Sequence, residues 1–144
     1  MEIKRILWPT DLSGNSENAL PFVVSMSRKF DSEIHILYVM EELAIHEPWY
    51  GVFEKTHIEK IHDWERQKAA ERLDALCDEH LKGCPLFVRH ISAGDPAEEI
   101  LKLIGDAGID LVTLARVGRG GRFKSGSVSE KVTRNAPVPV IIIP

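Results

Sequence analysis

The chain is poor in cysteine, contains no long apolar run, and carries no general excess of positive charge. Cys77 and Cys84 are the two cysteines among 144 residues, which excludes a disulfide framework. No apolar stretch approaches the ~20 residues that a bilayer-spanning helix needs, so no membrane association is expected. The start, Met1-Glu-Ile-Lys-Arg-Ile-Leu-Trp8-Pro9, has neither an extended apolar core nor a small-residue cleavage site, and the expected compartment is the cytoplasm. The formal net charge of −4 argues against general nucleic-acid binding, which favours basic domains. Signatures of catalysis are also missing. No serine sits in a G-x-S-x-G elbow, so a hydrolase triad has no support. His46 and Glu47 lack the second histidine of a zinc helix, and Pro48 would break that helix. His57 and His62 are five residues apart, which does not place them on one helical face. Cys77 and Cys84 do not form a close-spaced pair, and no metal site is expected.

What is present is an ordinary globular composition, 44% hydrophobic and 28% charged, at a length that fits one domain over residues 1–144. Short β-branched runs alternate with longer amphipathic stretches. Ile6–Trp8, stopped by Pro9, is the first predicted strand. Ile34–Val39, Leu86–Ile91, Asp110–Leu114 and Val138–Ile143 are the next four. Their nearly continuous apolar character suits strands covered on both faces, as in a parallel sheet. The first predicted helix carries Ala19, Leu20, Val23, Met26 and Phe30 on one face. Pro21 inside it predicts either a late start near Ser16 or a kink. The second, about His57 to Leu81, places Ile58, Ile61, Leu73, Leu76 and Cys77 at helical spacing, with Gly83 as the stop. The third starts with Asp95 as N-cap, Pro96 as first helical residue and Glu98 as third, and turns Ile100, Leu101 and Ile104 inward. The fourth is short, Ser127 to about Asn135.

The order βαβαβαβαβ predicts an open, doubly wound α/β sheet with right-handed crossovers. Ligands bind such sheets beyond the carboxyl ends of the strands, where the strand order reverses. Two segments stand at such ends. Pro9-Thr10-Asp11 follows the first strand. A glycine-rich basic loop follows the fourth and leads into the helix at Ser127. Arg116, Arg119, Arg122 and Lys124 put four positive charges into nine residues with no acid among them. Glycines there allow close approach of the backbone to a phosphate, and the helix start supplies unpaired N–H groups and partial positive charge.

Two familiar phosphate motifs fail on this loop. Gly118 to Ser125 has Walker A spacing, but Phe123 replaces the second glycine and its β-carbon obstructs the backbone cradle. The dinucleotide pattern G-x-G-x-x-G fails at the same residue. Asp11 has two readings, as an N-cap or turn residue or as a ligand contact. As a carboxylate it suits an adenine amino group or a ribose hydroxyl better than a phosphate, which it would repel. Leu43 to Thr56 is the longest irregular segment, and its Trp49, Tyr50 and Phe53 suit a lid, a partner surface or packing on the core.

These residues together resemble the universal stress protein family. The likeness rests on Ile6-Leu-Trp-Pro-Thr-Asp-Leu-Ser13 with Asn18-Ala-Leu20, on Ile36-Leu-Tyr-Val39, on Gly94-Asp-Pro-Ala-Glu-Glu-Ile100, and on Gly126-Ser-Val-Ser-Glu-Lys-Val132 running into Ala136–Ile143. It spans nearly the whole chain. The resemblance implies a Rossmann-like, five-stranded parallel sheet in the order 3-2-1-4-5 with helices on both faces. It implies ATP, with or without Mg²⁺, in the crevice between strands one and four. The implied contacts are Pro9, Thr10, Asp11, Val39, Leu114, Ala115, Gly118, Arg119, Gly126, Ser127 and Val128. It further implies a homodimer paired through strand five, Val138–Ile143, and a role in stress response or signalling, with at most slow, incidental ATP hydrolysis.

This chain departs from the family motif twice. Ala115 stands where the first motif glycine belongs, and seven residues rather than nine separate Gly118 from Gly126. A left-handed backbone at Ala115 would cost about 1–2 kcal/mol. One charge-assisted hydrogen bond from the basic loop, roughly 1.5–3 kcal/mol, would offset it. The alternative reading is therefore a family member that has lost ATP and acts as a dimeric protein-interaction module.

Overall fold

The computed structural model describes residues 1–40, 55–80, 87–116 and 127–144. Its elements are β1 (Arg5–Thr10), α1 (Gly14–Glu17), α2 (Leu20–Phe30), β2 (Glu33–Met40), α3 (Lys55–His80), β3 (Phe87–Ala93), α4 (Pro96–Asp106), β4 (Leu111–Ala115), α5 (Ser127–Asn135) and β5 (Val140–Ile143). All strand pairs are parallel, and the sheet order is β3-β2-β1-β4-β5. The alternating βα pattern therefore gives the predicted doubly wound sheet, with the order reversing between β1 and β4.

Period-two alternation in the central strands splits the interior into two layers. Ile6 and Trp8 of β1, with Ile34 and Ile36 of β2, face Ala19, Leu20 and Val23 at and after the start of α2 and Leu73 and Cys77 of α3. Leu7, Leu37, Val112 and Leu114 face the other way, onto Ala97, Ile100 and Ile104 of α4 and Val132 of α5. Burial on both faces is what the apolar runs demanded.

Several local expectations change. Pro9 does not stop β1. The Lys4 carbonyl accepts from Glu33 and the Arg5 carbonyl from Asp110, so odd-numbered residues of β1 turn their polar backbone groups toward β4. Pro9, which lacks an N–H, falls on that side. The β1–β2 register accordingly runs on to Thr10↔Tyr38, while the β1–β4 register covers Ile6↔Leu111 and Leu7↔Val112. Pro21 causes no kink, because the predicted first helix is two helices. The break lies after Glu17, and Pro21 sits in the first turn of α2, where no N–H partner is needed. Phe30 and Ile61 do not face inward; they are 46% and 42% exposed. Asp110 precedes β4 instead of opening it, and its carboxylate accepts from the Lys4 and Arg5 N–H groups at 2.8 and 3.0 Å. β5 starts at Val140, not Val138. Asp95 caps α4 as expected, accepting from the Glu98 N–H at 3.0 Å. Leu86 and Gly83, like Cys84, His46 and the aromatic cluster of Trp49, Tyr50 and Phe53, lie outside the described residues.

One half-buried histidine pair has no signal in the sequence pattern. His35 of β2 and His90 of β3 meet Nδ1 to Nε2 at 2.9 Å, with stacked rings 5.2 Å apart. Burial lowers the pKa of His35; Glu33 opposes this and Arg5 adds to it. Burial also lowers His90, and the neighbouring His35 lowers it further. Folded-state values below the ordinary 6.5 mean that the unfolded chain binds more protons just under that pH. Stability is therefore complete above about pH 6.5 and declines as pH falls through the window below it. The urea midpoint should drop between about pH 7.5 and pH 5.5, and a His35→Leu/His90→Leu variant should lose that part of the slope. An identical slope in the double variant would assign the acid sensitivity to other groups.

Candidate functional site

The reversal of strand order makes β1 and β4 diverge at their carboxyl ends, and Pro9 adds to this by withholding a ladder donor on the β4 side. A crevice opens there. It is lined by Pro9, Thr10 and Asp11 from β1 and its following residue, Ser16 from α1, Leu37 and Val39 from β2, Pro96 and Ile100 from α4, Leu114, Ala115 and Arg116 from β4 and its exit, and Ser127, Val128 and Ser129 from α5. The carboxyl-end position is the one predicted for ligands in this class of sheet.

The wall after β1 is held by short hydrogen bonds within Thr10–Ser16. Thr10 Oγ1 accepts from the Leu12 N–H at 3.0 Å and bonds the Ser16 hydroxyl. Asp11 Oδ1 accepts from the Ser13 N–H at 2.9 Å, an Asx turn. Ser13 Oγ in turn accepts from the Ser16 N–H at 3.2 Å and caps α1. The turn role of Asp11 is thus present, and the same residue also lines the crevice. Leu12, which follows it, has φ +63° and is 5% exposed. A leucine in the left-handed region is uncommon and persists only when its surroundings fix it.

The opposite wall is built by α4 and α5. Pro96 and Ile100 contribute apolar surface, and Ile100 reaches the crevice while packing in the core. Lys131 of α5 lies 3.6 Å from Asp95 Oδ2 and 3.6 Å from Glu98 Oε1, which ties the middle of α5 to the start of α4. Such exposed pairs add little stability, about 0–1 kcal/mol. The first turn of α5 brings Ser127, Val128 and Ser129 to the crevice with N–H groups that have no partner within the helix. Arg116 is the one cation in the described lining, and Asp11 the one carboxylate. The middle is apolar, with Leu37, Val39, Ile100, Leu114 and Val128. The arrangement suits a flat apolar group with a polar edge at Asp11 and a negative group beside Arg116 and the start of α5.

Eight of the eleven residues implied by the sequence line this one crevice: Pro9, Thr10, Asp11, Val39, Leu114, Ala115, Ser127 and Val128. Gly118, Arg119 and Gly126 lie outside the described residues, as do Arg122 and Lys124. The sequence reading left out Ser16, Leu37, Pro96, Ile100, Arg116 and Ser129 as lining residues. Ser129 follows Ser127 and Val128 directly, and Arg116 was already in the basic cluster, so both had a signal. Ile100 and Leu37 read as core residues, and their double role depends on the crossing of α4 over β2. Among the described residues, no group of three potential metal ligands forms.

Ala115 is half-buried in the β4 wall, paired in register with Ile143, and the Arg116 N–H donates to the Ile143 carbonyl at 2.7 Å. Among the described non-glycine residues, only Leu12 and Asp31 have positive φ. The left-handed cost considered for Ala115 therefore does not arise. What remains is a methyl group on the wall of the crevice.

The family model described as the universal stress protein family matches residues 2–144. Universal stress protein MJ0531 of Methanocaldococcus jannaschii is 28% identical over 145 residues, covering 97% of this chain and 81% of that protein. The structure of universal stress protein UspA from Lactobacillus plantarum superposes with a TM-score of 0.84 at 24% identity, over 100% of this chain and 99% of that one. A universal stress protein from Archaeoglobus fulgidus in complex with dAMP superposes with a TM-score of 0.67 at 18% identity, over 100% of each chain. At these identities the two superpositions show a shared fold.

Proposed function

The chain belongs to the universal stress protein family, and from that premise we propose that its β1/β4 crevice binds an adenine nucleotide, ATP with or without Mg²⁺, in a stress-response or signalling role. The observation that carries the proposal is the meeting of Asp11, an apolar slot, and Arg116 with the first turn of α5 in one crevice. Asp11 accepts from the ribose or the adenine amino group. Val39, Leu114 and Val128 hold the base. Arg116 and the Ser127 end of α5 face the phosphates, and the family resemblance adds Gly118, Arg119 and Gly126, outside the described residues, as expected contacts. The family relative in complex with dAMP supports an adenine nucleotide as the ligand class. Catalysis forms no part of the proposal beyond slow, incidental hydrolysis; among the described lining residues none is assigned to orient an attacking water.

A second reading, a dimeric interaction module without nucleotide, rests on the Ala115 methyl at the crevice wall. Under either reading β5 is the edge strand opposite β3, and its Ile142 is 37% exposed. An apolar edge calls for a cover, and a second copy paired through Val138–Ile143 supplies one. Thermal unfolding with millimolar ATP or AMP and Mg²⁺ separates the two readings. Ligand at about 100 times Kd adds about 2.7 kcal/mol, a rise of at least several degrees at this size. A rise with either nucleotide supports the first reading, and an unchanged midpoint with both supports the second.

A further inference from the structure

We propose that Arg72, a residue of α3 outside the crevice lining, is a positioning residue for nucleotide binding: it clamps Leu12 in its left-handed conformation and so sets the direction of Asp11. The proposal rests on the adenine-nucleotide reading of the crevice. Arg72 Nη2 donates to the Leu12 carbonyl at 2.9 Å across 60 positions of sequence. The Leu12 N–H is taken by Thr10 Oγ1 at 3.0 Å. Both polar backbone groups of this residue are thus held by side chains, one from the end of β1 and one from α3. Leucine at φ +63° has no intrinsic preference for that conformation. Its side chain is also committed, buried in the same layer as Leu73. Leu73 is fully buried and fixes the α3 backbone right beside Arg72. The chain from the α3 backbone to Asp11 is therefore short and made of held groups.

The guanidinium goes to a carbonyl although acidic residues stand close by on α3. Glu71 pairs with Lys68 at 3.7 Å, and Asp74 pairs with Arg89 of β3. An arginine fork gives a directional donor, and a carbonyl in an unusual conformation needs one. Without that donor the Leu12 carbonyl swings toward solvent and the peptide planes around Leu12 relax. Asp11, one residue earlier, then loses the orientation that its bond to the Ser13 N–H at 2.9 Å shares.

The test compares wild type with Arg72→Met, Arg72→Lys, Asp11→Ala and the Arg72→Met/Asp11→Ala pair. AMP is the probe, because with one phosphate it presents less charge than ATP to the phosphate side of the crevice. Calorimetric titration should show AMP affinity about tenfold weaker in Arg72→Met, largely recovered in Arg72→Lys. In the Asp11→Ala background, Arg72→Met should cost under about twofold, since the group it positions is gone. Amide exchange by NMR should accelerate about tenfold at Leu12 and Ser13 in Arg72→Met, with Ile6 and Trp8 unchanged. Unchanged exchange at Leu12 and Ser13 would overturn the clamp. An equal loss of affinity in the Asp11→Ala background would overturn its action through Asp11. Absence of AMP binding by wild type would refute the nucleotide reading instead, and the exchange measurement would still decide whether Arg72 holds the loop.

Discussion

Replacing Asp11 by alanine weakens adenosine affinity by roughly 10- to 100-fold, the worth of a hydrogen bond to a charged group, about 1.5–3 kcal/mol. The chain stays folded, because Asp11 lies on the crevice wall and the two core layers do not include it. The size of the loss depends on the ligand. A carboxylate repels phosphate, so its removal also relieves a repulsion that grows with the number of phosphates. ATP should therefore lose less affinity than adenosine in the same variant. Asp11→Asn separates the two contributions, since an amide oxygen preserves the Asx turn on Ser13 but carries no charge. Calorimetric titration of adenosine, AMP and ATP against the three proteins reads this directly. Equal affinities in wild type and Asp11→Ala would confine Asp11 to its turn role.

The second large effect concerns the core beneath the crevice. Trp8 is fully buried in β1, one residue before Pro9, among Ile34, Ile36, Leu12 and Val23. Its truncation to alanine should cost about 3–5 kcal/mol, a large share of the ~5–15 kcal/mol by which domains are stable. Phenylalanine should behave very differently. The indole Nε1 is buried without a hydrogen-bond partner among the described residues, and such an orphan costs about 1–3 kcal/mol. Trp8→Phe removes that penalty and leaves a partial void, so the two effects oppose and the net change should stay within about 1 kcal/mol. Urea unfolding of the three proteins checks both figures. A cost below about 1 kcal/mol for Trp8→Ala would mean that β1 is not the centre of the core.

The architecture was legible because its signals are local and repeated. Apolar runs marked the strands at Ile6, Ile34, Asp110 and Val138 to within two residues of their observed starts. Asp95, Pro96 and Glu98 marked the start of α4 because capping chemistry is written in consecutive residues. Pro9 and Pro21 misled for a shared reason. The cost of a proline depends on whether its missing N–H had a partner, and that depends on which neighbour the strand faces and where the helix begins. At the site, Asp11 and Ser127 were legible from their places after β1 and at the start of α5, and Val128 only through the family resemblance. Arg72, His35 and His90 were not. Each acts through a partner tens of residues away, Leu12 for Arg72 and each other for the histidines, and no spacing in one sequence encodes that meeting.

In the proposed function one crevice, at the carboxyl ends of β1 and β4, receives an adenine nucleotide. The most direct measurement is an NMR titration of the backbone amides with ATP and Mg²⁺. Saturable shifts should concentrate at Thr10, Asp11, Val39, Ala115, Ser127 and Val128, with little change along β3. Absence of shifts at millimolar ATP, or saturable shifts that avoid these residues, would contradict it.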